Sequence, residues 1–291
     1  MQHLLILGCG YVGTQLAKAC VAKGMHVSGT TRSKEHAQAL ERLGIKPIIT
    51  TSPIDIATDI LTKTTHLVDS IPLTRNDKTM FTSQTQWLPT LAAKLQHLKW
   101  AGYLSTTGVY GDADGAWVDE SFHCQPSSPR GKERLKAEHA WLNTGLPAEV
   151  FRLAGIYGLE RNIIPRLNTG DYKAVQWHPP HYSSRIHVDD IVATLLAAMQ
   201  SPRSGRVVNV ADDLPLPHAE YVQQVAAMID APKPIILNPE EGQKQLSPTA
   251  LSFFSDNKRI SNQLLHDELL AKLNYPSFKE GIHAILSDEE T

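Results

Sequence analysis

Six residues near the start limit the fold of this chain more than any other feature: Gly8-Cys9-Gly10-Tyr11-Val12-Gly13, with glycines spaced Gly-x-Gly-x-x-Gly. An apolar run, His3 to Leu7, precedes them, and a helical pattern, Val12 to Lys23, follows. Each glycine has its own physical reason. Gly8 permits a tight turn out of a strand, Gly10 lets backbone approach a pyrophosphate, and Gly13 lets the helix lie close to the sheet. The helix start aims free N–H groups and the positive end of its dipole at the same point. The spacing alone is a weak signal; the strand before it and the helix after it supply the required context. Tyr11 and Val12 join the glycines as expected cofactor-binding positions.

The alternation continues. Met25 to Gly29, Lys46 to Thr50, Thr65 to Asp69, Trp100 to Ser105, Ala148 to Leu153 and Arg206 to Val210 read as strands. Glu35 to Leu43, Pro129 to Leu142 and Asp189 to Gln200 read as helices, as does Met80 to Leu98 with a bend near Pro89. Ser128 and Pro129 give the helix at 129–142 a cap and a first residue suited to a helix start. Strands alternating with crossover helices predict an α/β fold, a doubly wound parallel sheet of Rossmann type with a smaller C-terminal substrate lobe. Residues 1–158 and about 186–211 form the first part; residues 159–185 and 212–291 form the lobe. Residues 238–249 are expected to be a mobile loop.

The formal net charge of −2 gives no reason to expect nucleic acid or a membrane surface as partner. No apolar run approaches the roughly 18 residues of a membrane span. Cys9, Cys20 and Cys124 suit a reducing compartment, so a cytoplasmic location is expected. His178 and His181 stand in a Pro-rich stretch without the further ligands a metal site needs; no metal is expected. With Trp177, Tyr182 and Arg185 they read as the rim of a substrate cleft. A small-molecule substrate is the expected partner, and a homodimer is the candidate assembly.

Cofactor type is argued from the end of the second strand. A carboxylate there, about 20 residues after the glycines, would bond the ribose 2′-hydroxyl of NAD. This chain has Thr30-Thr31-Arg32-Ser33-Lys34 and no acid before Glu35. Arg32 offers a guanidinium fork to a 2′-phosphate, and Thr31 and Ser33 offer hydroxyls. NADP is therefore favoured over NAD. The alternative leaves Arg32 as a solvated charge and Ser33 as a helix cap.

Further segments resemble the extended or atypical short-chain dehydrogenase/reductase superfamily, which includes NAD(P)-dependent epimerases and dehydratases. They are Ser105-Thr106-Thr107-Gly108-Val109-Tyr110-Gly111, Val118-Asp119-Glu120-Ser121, Arg152-Leu153-Ala154-Gly155-Ile156-Tyr157-Gly158, Arg185-Ile186-His187-Val188-Asp189-Asp190, and Tyr275 to Gly281. The resemblance implies a Ser or Thr at Thr106, a further cofactor contact at Ser70, and a Tyr-x-x-x-Lys on the helix after residue 128. At those two helix positions this chain carries Arg130 and Arg134. A guanidinium cannot serve as acid and base near neutral pH. Arg134 could still hold a ribose or phosphate. Otherwise the helix presents a solvated charged face, with Arg134 and Glu138 at pairing distance.

Catalytic candidates are therefore Thr106, Arg130, Arg134 and Tyr157, with Tyr110 and His187 as substitutes for the missing phenol. For Tyr110 and Tyr157 core packing is the favoured reading, and for His187 a structural place beside a helix start capped by Asp189 or Asp190. Two functions follow. One is an NADP-dependent oxidoreductase or epimerase-like enzyme with an altered proton relay, acting on a small polar substrate, sugar-like on the resemblance alone. The other is a catalytically inactive NADP(H)-binding sensor or scaffold. Arg130 and Arg134 favour the second; Thr106 and Tyr157 favour the first.

Overall fold

The computed structural model describes residues 2–76 and 79–289. Seven strands form one parallel sheet: β1 (His3–Leu7), β2 (His26–Thr31), β3 (Lys46–Ile49), β4 (His66–Asp69), β5 (Trp100–Thr106), β6 (Ala148–Leu153) and β7 (Val207–Val210), in the order β7-β6-β5-β4-β1-β2-β3. The chain runs outward from β1 to β3, then returns to place β4 on the other side of β1. That reversal opens a crevice at the carboxyl ends of β1 and β4, where an open α/β sheet takes its ligand.

Successive residues of β1 face opposite sides of the sheet, and both sides are covered. Leu4 and Ile6 belong to one apolar cluster with Leu16 and Cys20 of α1 (Tyr11–Ala22), Leu40 of α2 (Lys34–Arg42), and Ile191 of a later helix. Leu5 and Leu7 belong to the other, with Leu61 of α3 (Thr58–Lys63), Trp87 and Leu91 of α4 (Gln84–Ala92), and Trp141 of α5 (Pro129–Leu142). Burial on both faces explains why these strands read as continuous apolar runs rather than alternating ones.

A third cluster lies apart from the sheet. It joins Tyr157, Ile164 and Leu167 of α6 (Ile164–Leu167) to Val222 and Val225 of α8 (His218–Met228) and to Phe278 and Ile282 near the end of the chain. Between them in sequence, α7 (Val188–Gln200) returns to the sheet and packs beside α1.

Two expected elements differ. The long helix at 80–98 is instead the end of a short antiparallel hairpin, Thr74–Asn76 with Thr79–Phe81, followed by α4 alone. The helical spacing of the apolar residues holds only from Gln84 onward; Trp87, Leu88 and Leu91 reach the core from α4, and Leu95 reaches it from the turn that follows. The stretch expected as a loop at 238–249 contains α9 (Pro239–Gln245) and the start of α10 (Pro248–Leu251). Asn238 and Glu241 form a capping box there, a local signal strong enough to start a helix.

Candidate functional site

At the end of β1, Gly8 has φ +75°, and a Cβ on it would stand 3.0 Å from the backbone of Ile71, just after Ser70. Its N–H donates to Thr30 Oγ1 at 2.7 Å, which ties the turn to β2. Gly10 caps α1 without a side-chain bond, and a Cβ there would meet only Gly8 O, at 4.0 Å. No acidic residue stands in the first turn of α1. The helix start is thus open and unneutralised, as an anion requires. Gly13 lies on β1, its Cβ position 3.0 Å from Ile6 Cγ2. The Cys9 thiol is buried and pushed up to about 11 by desolvation, so it is not a nucleophile near neutral pH.

At the end of β2 the hydroxyls are already in local use. Thr31 Oγ1 accepts the Ser33 N–H (3.2 Å), and Ser33 Oγ accepts the His36 N–H (3.1 Å) as the cap of α2. Ser33 Oγ also donates to the Glu35 carboxylate at 2.6 Å, which lowers the proton affinity of that exposed acid. Arg32 is exposed and makes no ion pair among the described residues. His36, which sequence reasoning does not single out, brings Nε2 to 2.7 Å from Cys9 O and so lies over the glycine turn. Nothing in its spacing marks it, because only the fold brings the start of α2 to residue 9.

Across the crevice, Ser70 N–H donates to Leu7 O at 2.8 Å, placing this residue beside the turn. Thr106, at the end of β5, is half-buried and accepts the Gly108 N–H at 3.2 Å. Facing it is α5, capped by Ser128. Gly131 lets the helix touch the loop after β5: a Cβ there would come within 2.7 Å of Gly108 O and of Pro126 Cβ. Arg134 is half-buried; its Nη1 donates to Tyr103 Oη at 3.0 Å and to Ile71 O at 3.3 Å. Arg130, one turn earlier, is open to solvent. Desolvation by nearby protein, and then the charges of Arg134 and Arg161, lower its proton affinity. Glu138 does not pair with Arg134. It turns inward, accepts from Ser105 Oγ at 2.5 Å and binds Arg152 at 2.8 Å.

The two remaining tyrosine candidates end in core bonds. Tyr110 Oη donates to Asn209 at 2.6 Å, and burial pushes the phenol up to about 12. Tyr157 Oη donates to Ser277 O at 3.3 Å, and burial pushes its proton affinity up further. His187 does cap α7, but with its own Nδ1, which accepts the Asp189 N–H at 3.3 Å. The expected carboxylate caps have other partners: Asp190 is buried and accepts the N–H groups of Asn274 (2.7 Å) and Tyr275 (3.0 Å). Gly158 lies between His187 and the glycine turn. A Cβ on it would be 2.5 Å from Tyr11 Oη and 3.6 Å from His187 Nε2.

The crevice therefore gathers Gly8, Gly10, Tyr11, Ser70, Thr106 and Arg134, with Arg130 within electrostatic reach. Thr31, Arg32 and Ser33 stand at the end of the neighbouring strand, and Tyr157 turns its hydroxyl toward Ser277. Among the described residues no group of three or more His, Cys, Asp or Glu could hold a metal ion, and no helix is long and apolar enough to cross a membrane.

The chain matches no protein-family model. It is similar to protein YeeZ of Escherichia coli K12, at 24% identity over 279 residues, covering 91% of this chain and 94% of the relative. Among solved structures it is similar to a conserved Silicibacter pomeroyi protein of unknown function, with TM-score 0.90, 35% identity and full coverage of both chains. A Methylobacillus flagellatus protein assigned as an NAD-dependent epimerase/dehydratase has TM-score 0.72 at 25% identity, covering 100% and 99%. The UDP-glucuronic acid 4-epimerase of Bacillus cereus, solved with NAD, shares the fold at TM-score 0.75 and 18% identity, covering 97% and 94%.

Proposed function

We propose, from the fold it shares with NAD-dependent epimerase/dehydratase structures, that the chain is a member of the extended short-chain dehydrogenase/reductase superfamily and an NADP-dependent oxidoreductase, epimerase-like in type, acting on a small polar substrate of sugar-like character. One observation carries this reading. The start of α1 is open at Gly10, lacks a capping side chain, and faces a crevice whose other wall presents Thr106 and Arg134. Bound there, a nicotinamide dinucleotide would supply hydride exchange. Gly8, Gly10, Tyr11, Val12, Gly13 and Ser70 would hold it, with Thr31, Arg32 and Ser33 at its 2′-phosphate. The Glu35 carboxylate on Ser33 is fully exposed, so a phosphate could displace it at small cost.

Thr106 accepts a hydrogen bond from Gly108, which leaves its O–H to donate to a substrate oxygen. Arg130 replaces the phenol of the family and cannot pass a proton. It can stabilise negative charge developing on that oxygen, as a preorganised cation does. Proton exchange is then with water, which reaches Arg130 directly. Residues 159–185 and 212–291 form the substrate lobe in this reading, built on the cluster around Tyr157 and Phe278. The unpaired thiols Cys9, Cys20 and Cys124 accord with a cytoplasmic location.

Titration with NADPH and NADH, followed by nicotinamide fluorescence, tests the cofactor reading. NADPH binds more tightly, and Arg32→Ala weakens NADPH by about tenfold or more while sparing NADH. Equal loss for both cofactors would remove Arg32 from the proposal. A second reading, a sensor without turnover, draws on the core bonds of Tyr110 and Tyr157. A crystal structure with NADPH distinguishes the two: only apolar groups beside Thr106 at the nicotinamide would favour the sensor.

A further inference from the structure

Resting on that reading of the crevice, we infer that the substrate carries an anionic group beside its reacting carbon, a carboxylate or a phosphate, held by Arg130, Arg134 and Arg161. Arg130 and Arg134 lie four residues apart on α5, hence on one face. The Arg134 guanidinium is fixed at Ile71, the residue against which Gly8 turns. Arg161 approaches from the opposite wall. Two backbone bonds of 3.0 Å each tie it to Gly158, and Gly158 in turn touches the Tyr11 hydroxyl at the glycine turn. Arg134 is held through its own guanidinium, Arg161 through its backbone, and Arg130 by its place one turn before Arg134 on α5.

Uncompensated like charges oppose folding, and a pair four apart on a helix costs a few tenths of a kcal/mol by itself. Among the described residues none of the three makes an ion pair within 4.0 Å. Glu160 and Asp189 also face the Tyr11 hydroxyl, yet neither comes within that distance of the three. After desolvation, the charges of Arg134 and Arg161 both lower the proton affinity of Arg130. Such a group is complementary to an anion, which each guanidinium can grip with two parallel N–H donors.

The topology separates this anion from the cofactor's phosphates. The 2′-phosphate reading belongs to the end of β2, on one side of β1, and the pyrophosphate to Gly10 above β1 itself. Arg130 and Arg134 face the end of β5, two strands away on the other side, beside Thr106. Arg185 does not compete for the ligand. It is buried, stacks 3.4 Å over the Tyr221 ring and donates to Ser183 O.

Calorimetry on the full chain tests this, with and without NADPH, using D-glucuronate, D-glucose 6-phosphate and D-glucose as probes on one scaffold. At least one of the two anions binds about tenfold or more tightly than D-glucose, and added salt weakens it. The tighter anion shows whether the group is a carboxylate or a phosphate. Arg130→Gln and Arg161→Gln each weaken that anion about tenfold while NADPH affinity changes less than about twofold. The inference is overturned if D-glucose binds as well as both anions, if none of the three binds, or if neither variant loses anion affinity. It is overturned equally if the variants lose NADPH instead, since the arginines then serve the cofactor. Failure of the unaltered chain to bind NADPH would sink the oxidoreductase reading, while the cofactor-free titrations would still decide this one.

Discussion

At the scale of single residues, the charges that matter most for holding the site are not those that face it. Glu138 is one turn beyond Arg134 on α5, and it points into the protein rather than the crevice. Its carboxylate joins Ser105, beside Thr106 on β5, to Arg152 on β6. Arg152 in turn stacks 4.7 Å over the Tyr110 ring, and Tyr110 reaches Asn209 on β7. One buried network across three strands and a helix thus joins the end of β5 that carries Thr106 to the turn of α5 that follows Arg134. Removing one partner of a buried pair strands the other charge, which costs about 3–5 kcal/mol. Glu138→Gln should lose that much in urea unfolding, and a loss below about 1 kcal/mol would contradict the network. Residue types in this region are legible from the chain alone, but side-chain directions are not. Glu138 is spaced to pair with Arg134, and only the docking of α5 against β5 and β6 turns it away.

At the scale of elements, α5 shows which signals reach far enough. Ser128 and Pro129 announce its start, and both act as expected. Gly131 is a poor helix former in the first turns of a helix, and sequence offers no reason for it. The reason is tertiary: the loop after β5 passes so close that a Cβ would stand 2.7 Å from Gly108 O. Alanine favours an isolated helix by about 1 kcal/mol, whereas forcing a methyl into a packed contact costs about 1–3 kcal/mol. The clash is with backbone, which yields little, so Gly131→Ala should lower the thermal midpoint despite its better propensity. A raised midpoint would mean that the helix and the Thr106 loop are less tightly joined than the contact implies. The same contrast explains the missed elements. The strands of the sheet were legible because burial on both faces makes them continuous apolar runs. The hairpin at 74–81 carries few apolar residues, and its pairing depends on two segments meeting, which no local period records.

For the molecule as a whole, pH exposes a tension in the region away from the sheet. Asp212 is 1% exposed, and its Oδ2 has no hydrogen-bond partner while Oδ1 accepts the Leu214 N–H. Burial pushes this carboxyl up to about 8, against the opposing pull of Arg185. His218, at the start of α8, is pushed down to about 3 by burial and then by Arg185 and Arg166. The signs are opposite in effect. Folded Asp212 keeps a proton that the unfolded chain releases near pH 4, so its contribution to stability falls as pH rises from about 4 to about 8. Folded His218 refuses a proton that the unfolded chain takes near pH 6.5, so its contribution falls as pH drops from there toward 3. Between about pH 4 and 6.5 the two slopes oppose one another, and above that range Asp212 acts without this counterweight. Asp212→Asn keeps the acceptor for Leu214 and removes the titration. Urea unfolding at pH 6, 7 and 8 should show the variant gaining on the unaltered chain by up to about 1.4 kcal/mol per pH unit. A gap that stays constant from pH 6 to 8 would show that water or a rearranged Arg185 already satisfies the Asp212 carboxylate in the folded state.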